Sequence, residues 1–470
     1  MGLSTPRMME RRPCHTTRPE ERTPATELNE TVLGLRWVFP GPAGKVTRAE
    51  TRRTTIGRGS DCDVVLPGSE VSRHHAELVQ IGSDWVIRDL NSRNGLFVNG
   101  RRVPHEALQP GYVVRVGEWV GIVRQVPLDP AHEVAFGEVA PGIFGSSRLA
   151  VELNRTRTAA ASDLRIILEG EPGTGKECIA RAIHRWSDRR GPFIGVNCAA
   201  LPALLAEGEL FGYRKGAFTG ADRASLGHFR SAHGGTLLLD EITDLPYPLQ
   251  SMLLRALEER AVTPLGESVP VPVDVRVIAA TQEPLREAVA QKRFRGDLWG
   301  RLDGLTIRVP PLRERSEDCP GLLARVLTRG EAGYTHALDP RLIEALCLYG
   351  WPSNVRELYQ VAHQLSVLHG SARVLRRSYL PERMLEERRT GPAEACSGTQ
   401  NLASDESAPK AEDAPRALAE AIRASQGNFA RAARELGISR QKAYRLLDEL
   451  PEEERSVLRD AGKRRRGGRA

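Results

Sequence analysis

Two stretches of the chain place phosphate-handling residues at the spacing that chemistry requires. The run Leu164-Arg165-Ile166-Ile167-Leu168 reads as a buried strand and leads into Gly170-Glu171-Pro172-Gly173-Thr174-Gly175-Lys176, after which Glu177-Cys178-Ile179 opens a helix. Glycines let backbone N–H groups approach phosphate oxygens, the helix N-terminus adds its positive dipole end, and Lys176 reaches the outer phosphates. Further along, Gly234-Gly235-Thr236-Leu237-Leu238-Leu239 reads as a strand ending in Asp240 and Glu241. At such an end Asp240 would hold Mg²⁺ through water, and Glu241 would polarise the water attacking a terminal phosphate. Together the two motifs predict a site that binds and hydrolyses a nucleoside triphosphate.

Between them lies Gly216-Ala217-Phe218-Thr219-Gly220-Ala221. Glycines at both ends permit positive φ, so this loop can fold over and project Phe218 outward. On composition alone it reads equally well as an ordinary surface turn.

The elements around these residues separate by texture. The chain has 470 residues, room for roughly two to four domains. Residues 1–30 are polar, without periodic apolar pattern, and read as a disordered tail without a secretory apolar core. Over 31–126 short β-type runs (Thr54 to Ile56, Val64 to Leu66, Ala76 to Val79, Trp85 to Ile87, Val113 to Val116, Trp119 to Val123) alternate with Gly, Asn and Asp turns, as in an all-β sandwich. Residues 127–139 read as a linker. Over 140–384 apolar β runs alternate with helical stretches, the texture of a parallel α/β sheet. Residues 385–414 read as a flexible Ala/Ser/Glu/Pro/Gly linker, 415–450 as helical, and 451–470 as a basic tail. No apolar run reaches the ~20 residues of a membrane span. Seven scattered cysteines without metal-ligand spacing fit a reducing cytoplasm. The net charge of +7 permits nucleic-acid contact, and Lys463-Arg464-Arg465-Arg466 would add non-specific attraction to phosphate or simply remain a solvated tail.

With these motifs in one chain, residues 140–384 resemble the AAA+ ATPase domain of the bacterial enhancer-binding proteins, activators of RNA polymerase carrying sigma-54. The hexapeptide 216–221 matches that family's sigma-54-contacting loop letter for letter. The resemblance implies ATP with Mg²⁺, and ATP contacts from Gly170, Glu171, Pro172, Gly173, Thr174, Gly175, Lys176 and Glu177. Glu177, which stands where many phosphate loops have a Mg²⁺-ligating Ser or Thr, is commonly Glu in the family. It further implies that Asn197 restrains Glu241 and that Arg295 and Arg301, in Phe294-Arg295-Gly296-Asp297-Leu298-Trp299-Gly300-Arg301-Leu302, reach the γ-phosphate on a neighbouring subunit. Arg356, in Trp351-Pro352-Ser353-Asn354-Val355-Arg356-Glu357-Leu358, would read the nucleotide. Fingers acting in trans imply a homo-oligomeric ring, a hexamer by family expectation. The departures are Gln282 after Thr281, where the family has Thr-Asn, and Gly296 and Gly300 near the fingers.

Residues 31–126 resemble a forkhead-associated domain through Ile56-Gly57-Arg58, Val71-Ser72-Arg73-His74-His75, Asp89-Leu90-Asn91-Ser92-Arg93-Asn94-Gly95 and Val98-Asn99-Gly100. That resemblance implies a phosphothreonine-containing protein or Ser/Thr kinase as partner. Arg58, Ser72 and Arg73 would hold the phosphate and Asn94 would orient the peptide, while Gly57, His75 and Gly95 fix turns. Residues 427–447 resemble a Fis-type helix-turn-helix, with Arg440, Gln441, Lys442 and Arg445 on the DNA-reading helix; a plain helical hairpin is the alternative. The expected architecture is therefore multidomain: an N-terminal all-β sandwich, a central α/β AAA+ domain with helical lid, and a C-terminal all-α DNA-binding module. The expected function is enhancer-bound, phosphothreonine-regulated remodelling of sigma-54 polymerase in the cytoplasm. The alternative is a DNA-bound phosphothreonine adaptor whose ATPase does not turn over.

Overall fold

The computed structural model describes residues 31–40, 45–129, 133–162, 164–202, 205–218, 221–328, 337–386 and 419. The expectations for residues 1–30, for 387–414 and for the helix-turn-helix and basic tail fall outside these, as do Thr219 and Gly220 of the hexapeptide.

The first module is a sandwich of two sheets. One runs Val46–Arg48, Thr31–Phe39, Trp119–Pro127, Val113–Val116, Leu96–Val98, Arg101–Val103; the other runs Val64–Val65, Arg53–Gly57, Ala76–Ile81, Asp84–Asp89, His105–Ala107. Leu35, Trp37, Ile56, Leu78, Ile87, Leu96, Val114, Val116 and Val123 meet between the sheets. All six β-type runs read from the sequence lie on strands or, for Leu66, one residue past a strand end.

The outer face of the six-stranded sheet departs from the polar-out pattern of a free-standing sandwich. Antiparallel pairing of Val113 with Ile122, Arg115 with Val120 and Arg36 with Ile122 puts these residues on one face. Val113, Val120 and Ile122 are completely buried there, in a cluster shared with Leu312, Leu322, Leu342, Leu346 and Leu358 of the helical lid. Each such aliphatic side chain contributes about 1.5–3 kcal/mol by leaving water. The sandwich is packed on the lid.

The second module is a five-stranded parallel sheet ordered Phe193–Asn197, Thr236–Asp240, Arg276–Thr281, Ile166–Glu169, Leu305–Arg308. Its strands read as continuous apolar runs because helices cover both faces, and Leu237, Leu238, Ile278, Ala279 and Leu168 are all buried. The first strand starts at Ile166; Leu164, expected within it, is exposed, and its carbonyl accepts from Arg276. The lid comprises the segment Leu312–Asp318 and helices Cys319–Thr328, Pro340–Leu348, Asn354–His369 and Glu382–Glu386. Pro340–Leu348 starts sharply because Pro340 presets φ and Asp339 Oδ1 accepts from Arg341 N at 2.7 Å.

Candidate functional site

Parallel register builds the site at the carboxyl ends of the strands, where open α/β sheets bind ligands. Asn197 pairs with Asp240, and Glu169 pairs with Thr281. The loop after Glu169 turns back over this edge, with Gly173 at φ 76° and Gly175 at φ 104°, values that glycine adopts without strain. Gly173 also meets the lid backbone closely: a Cβ there would lie 2.2 Å from Ser353 O. Helix Lys176–Trp186 then points its amino end at the loop.

Lys176 is buried and donates from Nζ to Gly170 O at 2.7 Å, with Glu241 Oε1 3.5 Å away. Glu241 sits in the left-handed region at φ 52°, ψ 50°, uncommon for a residue with a side chain. Its N–H donates to Asp240 Oδ1 at 3.1 Å. Burial lifts the Glu241 carboxyl above its ordinary pKa; Lys176 and a hydrogen bond with Gln282 oppose the rise, and the Asp240 charge adds to it. Glu241, Thr243, Asp244, Gln282 and Glu283 line one depression at this edge.

The remaining predicted residues distribute as follows. Asn197 Oδ1 accepts from Ala199 N at 3.0 Å, and among the described residues no hydrogen bond joins Asn197 to Glu241. Thr281 is buried, and its hydroxyl donates to Glu283 O, closing the turn that carries Gln282. Thr174 Oγ donates to Glu171 O, and Arg356 N lies 3.4 Å from Gly173 O. Glu177 pairs with Arg181 on its own helix. Arg295 is held by Asp297 and by Ser251 Oγ, and Arg301 donates to Leu257 O at 3.3 Å. Neither finger candidate bonds to its own chain's phosphate loop, so the structure does not bring them together with Lys176.

Three lid residues not singled out from the sequence hold the loop. Arg313 forks onto both carboxylate oxygens of Glu171, one contact at 2.7 Å, and this keeps the Glu171 carboxyl below its ordinary pKa. Asn354 donates to Glu171 and to Pro172 O while accepting from Leu312 N. Buried Arg315 donates to Thr174 O at 3.1 Å. The signal for Asn354 was its place in Trp-Pro-Ser-Asn; the two arginines look like any surface arginine in sequence.

The hexapeptide lies between helices Ala206–Phe211 and Gly227–Ser231. Gly216, at φ 80°, donates to Ala221 O, and Ala221 donates to Phe218 O. Phe218 is 36 % exposed and packs edgewise on Tyr213, ring centroids 5.0 Å apart, so it stands half out rather than fully projecting.

On the sandwich, Arg58 N donates to Ser72 O and Gly59 N to Arg73 O, locking the two arginine-bearing loops together. Gly57 is required there, since a Cβ would lie 2.0 Å from Arg73 O. The Arg58 and Arg73 side chains are exposed and carry no ion pair among the described residues. Ser72 Oγ accepts from Arg93 N, and Asn94 Nδ2 donates to Glu70 O. His75 is buried against Gly95 O, and burial depresses its pKa; it is a turn-holder. Arg440, Gln441, Lys442 and Arg445 lie outside the described residues.

A sigma-54 interaction domain model matches residues 143–308, an AAA+ ATPase lid domain model 313–396, and an FHA domain model 54–117. The chain is 42 % identical over 307 residues to the transcriptional regulatory protein ZraR of Klebsiella oxytoca, covering 64 % of this chain and 67 % of that protein. It belongs to the sigma-54-dependent transcriptional activators. The regulator NtrC of Rhizobium meliloti is 37 % identical over 62 % of this chain and 65 % of its own length. The crystal structure of NtrX from Brucella abortus in complex with ATP aligns at 29 % identity and a TM-score of 0.48, over 67 % of this chain and 69 % of that one. The chain spans between about a third and two thirds of the length of the curated relatives it matches. The activator carries a forkhead-associated sandwich in front of its AAA+ module. Among the described residues no helix is long and apolar enough to cross a membrane.

Proposed function

We propose that this chain is a cytoplasmic, enhancer-bound activator that hydrolyses ATP in a homo-oligomeric ring, a hexamer, and drives the 216–221 loop against sigma-54 RNA polymerase. The observation that supports it most is the convergence of Lys176, Asp240 and Glu241 on one sheet edge, with the hexapeptide loop in the same module. Lys176 leaves Glu241 and Gly170 O for the outer phosphates, and Glu241, relieved of that cation, orients and deprotonates the attacking water. The rise in its pKa by burial makes it a better proton acceptor at neutral pH than an exposed carboxylate. Asp240 suits a hard cation: it is a carboxylate at the strand end, with one oxygen engaged by Glu241 N. Mg²⁺ bound there through water would neutralise charge on the phosphates. Glu177, turned to Arg181, is not arranged as a ligand. Arg295 and Arg301 serve the neighbouring subunit's nucleotide, Thr281 and Arg356 sense it, and Asn197 restrains Glu241 in a state that differs from this one.

The FHA module reads phosphothreonine on a Ser/Thr kinase or its substrate through Arg58, Ser72, Arg73 and Asn94. Arg440, Gln441, Lys442 and Arg445 read the enhancer. The decisive experiment is open-complex formation by purified sigma-54 polymerase with ATP, comparing wild type with Thr219→Ala. Opening by wild type alone is expected. No opening, together with no ATP turnover, would replace this reading with the non-hydrolysing adaptor.

A further inference from the structure

The sandwich grips the lid through more than its apolar face. Arg115 donates from Nε to Glu344 Oε2 at 2.9 Å, with both side chains under 10 % exposed. Arg124 donates to Glu317 Oε2 at 3.0 Å from Nε and 2.6 Å from Nη2, and to Ser316 Oγ at 3.1 Å. Glu317 is buried, and Arg124 draws its carboxyl below the ordinary pKa against the opposing cost of burial. A buried carboxylate without its cation is strongly unfavourable, so this contact fixes the orientation of the segment that carries it.

That segment is also the one that holds the phosphate loop. Arg313 grips Glu171, Arg315 donates to Thr174 O, and Leu312 N bonds to the Asn354 that holds Pro172 O. Arg315 interrupts the helical turns of Leu312–Asp318 at φ −128°, ψ 45°, which aims successive residues in different directions. Arg313 and Arg315 meet the nucleotide loop while Ser316 and Glu317 meet the sandwich. At the other end of the sheet, Arg115 lies over the Phe97 ring at 3.8 Å, three residues after Asn94. Three neighbouring strands, Leu96–Val98, Val113–Val116 and Trp119–Pro127, and the segment Leu312–Asp318 thus lie between the two phosphate-handling sites.

We propose that the forkhead-associated sandwich is a fixed part of the ATPase lid, its partner surface being the lid of the same chain, and that Arg124 is a positioning residue for the phosphate loop. It acts through Ser316 and Glu317 on Arg313 and Arg315. The proposal rests on the reading of 170–176 as a nucleotide site.

The test uses the full chain, a fluorescent ADP analogue and amide hydrogen exchange. In Arg124→Ala, ADP affinity should fall about fivefold, a size typical of coupling through packed networks. Exchange should rise at 310–319 while the strands at 53–57 and 76–81 stay protected. Arg124→Lys, which keeps charge but not the fork, should recover part of the affinity. If Arg124→Ala does not fold, the double variant Arg124→Met, Glu317→Leu removes the pair without stranding a charge and should show the same loss. Wild-type ADP affinity in a folded Arg124 variant, or unchanged exchange at 310–319, overturns the proposal. A wild type that binds no ADP overturns the nucleotide reading and the proposal with it; it is told apart because it is seen before any variant is made.

Discussion

The molecule has two loops shaped to meet phosphate, and they are prepared in opposite ways. On the sandwich, Arg58 and Arg73 have their backbones locked by cross-loop hydrogen bonds and their side chains exposed, without an ion pair among the described residues. At the sheet edge three cations around the phosphate loop already have partners: Lys176 with Gly170 O and Glu241, Arg313 with Glu171, Arg315 with Thr174 O; only Arg356, beside Gly173, has no side-chain partner among the described residues. The first arrangement is a receptor ready for its ligand. On the proposed reading the second exchanges partners when nucleotide arrives, and that exchange would couple binding to the lid. Affinity without rearrangement and rearrangement driven by affinity are built from the same residue types; the difference lies in where the counter-charges sit.

Removing the group that acts only at the sheet edge gives the largest effect. Glu241→Gln should lower ATP turnover by about 10²- to 10⁴-fold, the range for a lost general base. ADP affinity should change little, so a turnover assay beside a binding titration checks it. Equal turnover would mean that the two loops do not differ in the way described.

The receptor side breaks by a smaller amount. Arg73→Ala removes charge-assisted donors to a phosphate and should weaken a phosphothreonine peptide by about 10- to 100-fold in calorimetry, with the unphosphorylated peptide as reference. Because Arg73 has no ion pair to lose, its melting temperature should stay near wild type. A large drop in stability would place Arg73 with the pre-engaged cations.

The smallest effect sharpens the pre-engaged side. Arg313 holds the Glu171 carboxyl below its ordinary value of 4.5. A depressed folded pKa contributes stability above 4.5 that is lost as pH falls through the lower folded value. Melting temperature should therefore fall on acidification below about pH 4.5, and Arg313→Ala should flatten that fall. Both side chains are more than a third exposed, so the difference is under about 1 kcal/mol.

The phosphate loop, the acidic strand end and the forkhead turns were legible because each depends on local constraints that sequence carries: positive φ at Gly173 and Gly175, no room for a Cβ at Gly57, a charge pair at a strand end. What escaped depends on distant partners. Asn354 was visible within a matched pattern, yet its hold on Pro172 spans the lid and the sheet. Arg313, Arg315 and Arg124 have no local signature, since an arginine held by a partner distant in sequence is spelled like one in water. A trace of the sandwich–lid contact was nevertheless present. Val113, Val114 and Val116 do not alternate with polar residues apart from Arg115, and a strand of a free sandwich with one wet face should. The run identifies a strand, and its apolar second side implies a cover that the letters alone do not name.

That second side bears on how this chain can be cut. Its three parts look like interchangeable cassettes in a line of letters, and a fragment beginning near residue 140 would seem a natural reagent. Such a cut would leave Glu344 and Glu317 without their arginines and bare the lid surface that Val113, Val120 and Ile122 cover, while the excised sandwich would carry a valine-rich patch into water. Contiguous apolar patches of that kind favour self-association. Both pieces would be poorer soluble proteins than the uncut chain, and a spliced-in sensor of another fold would have to bring its own replacement for that face.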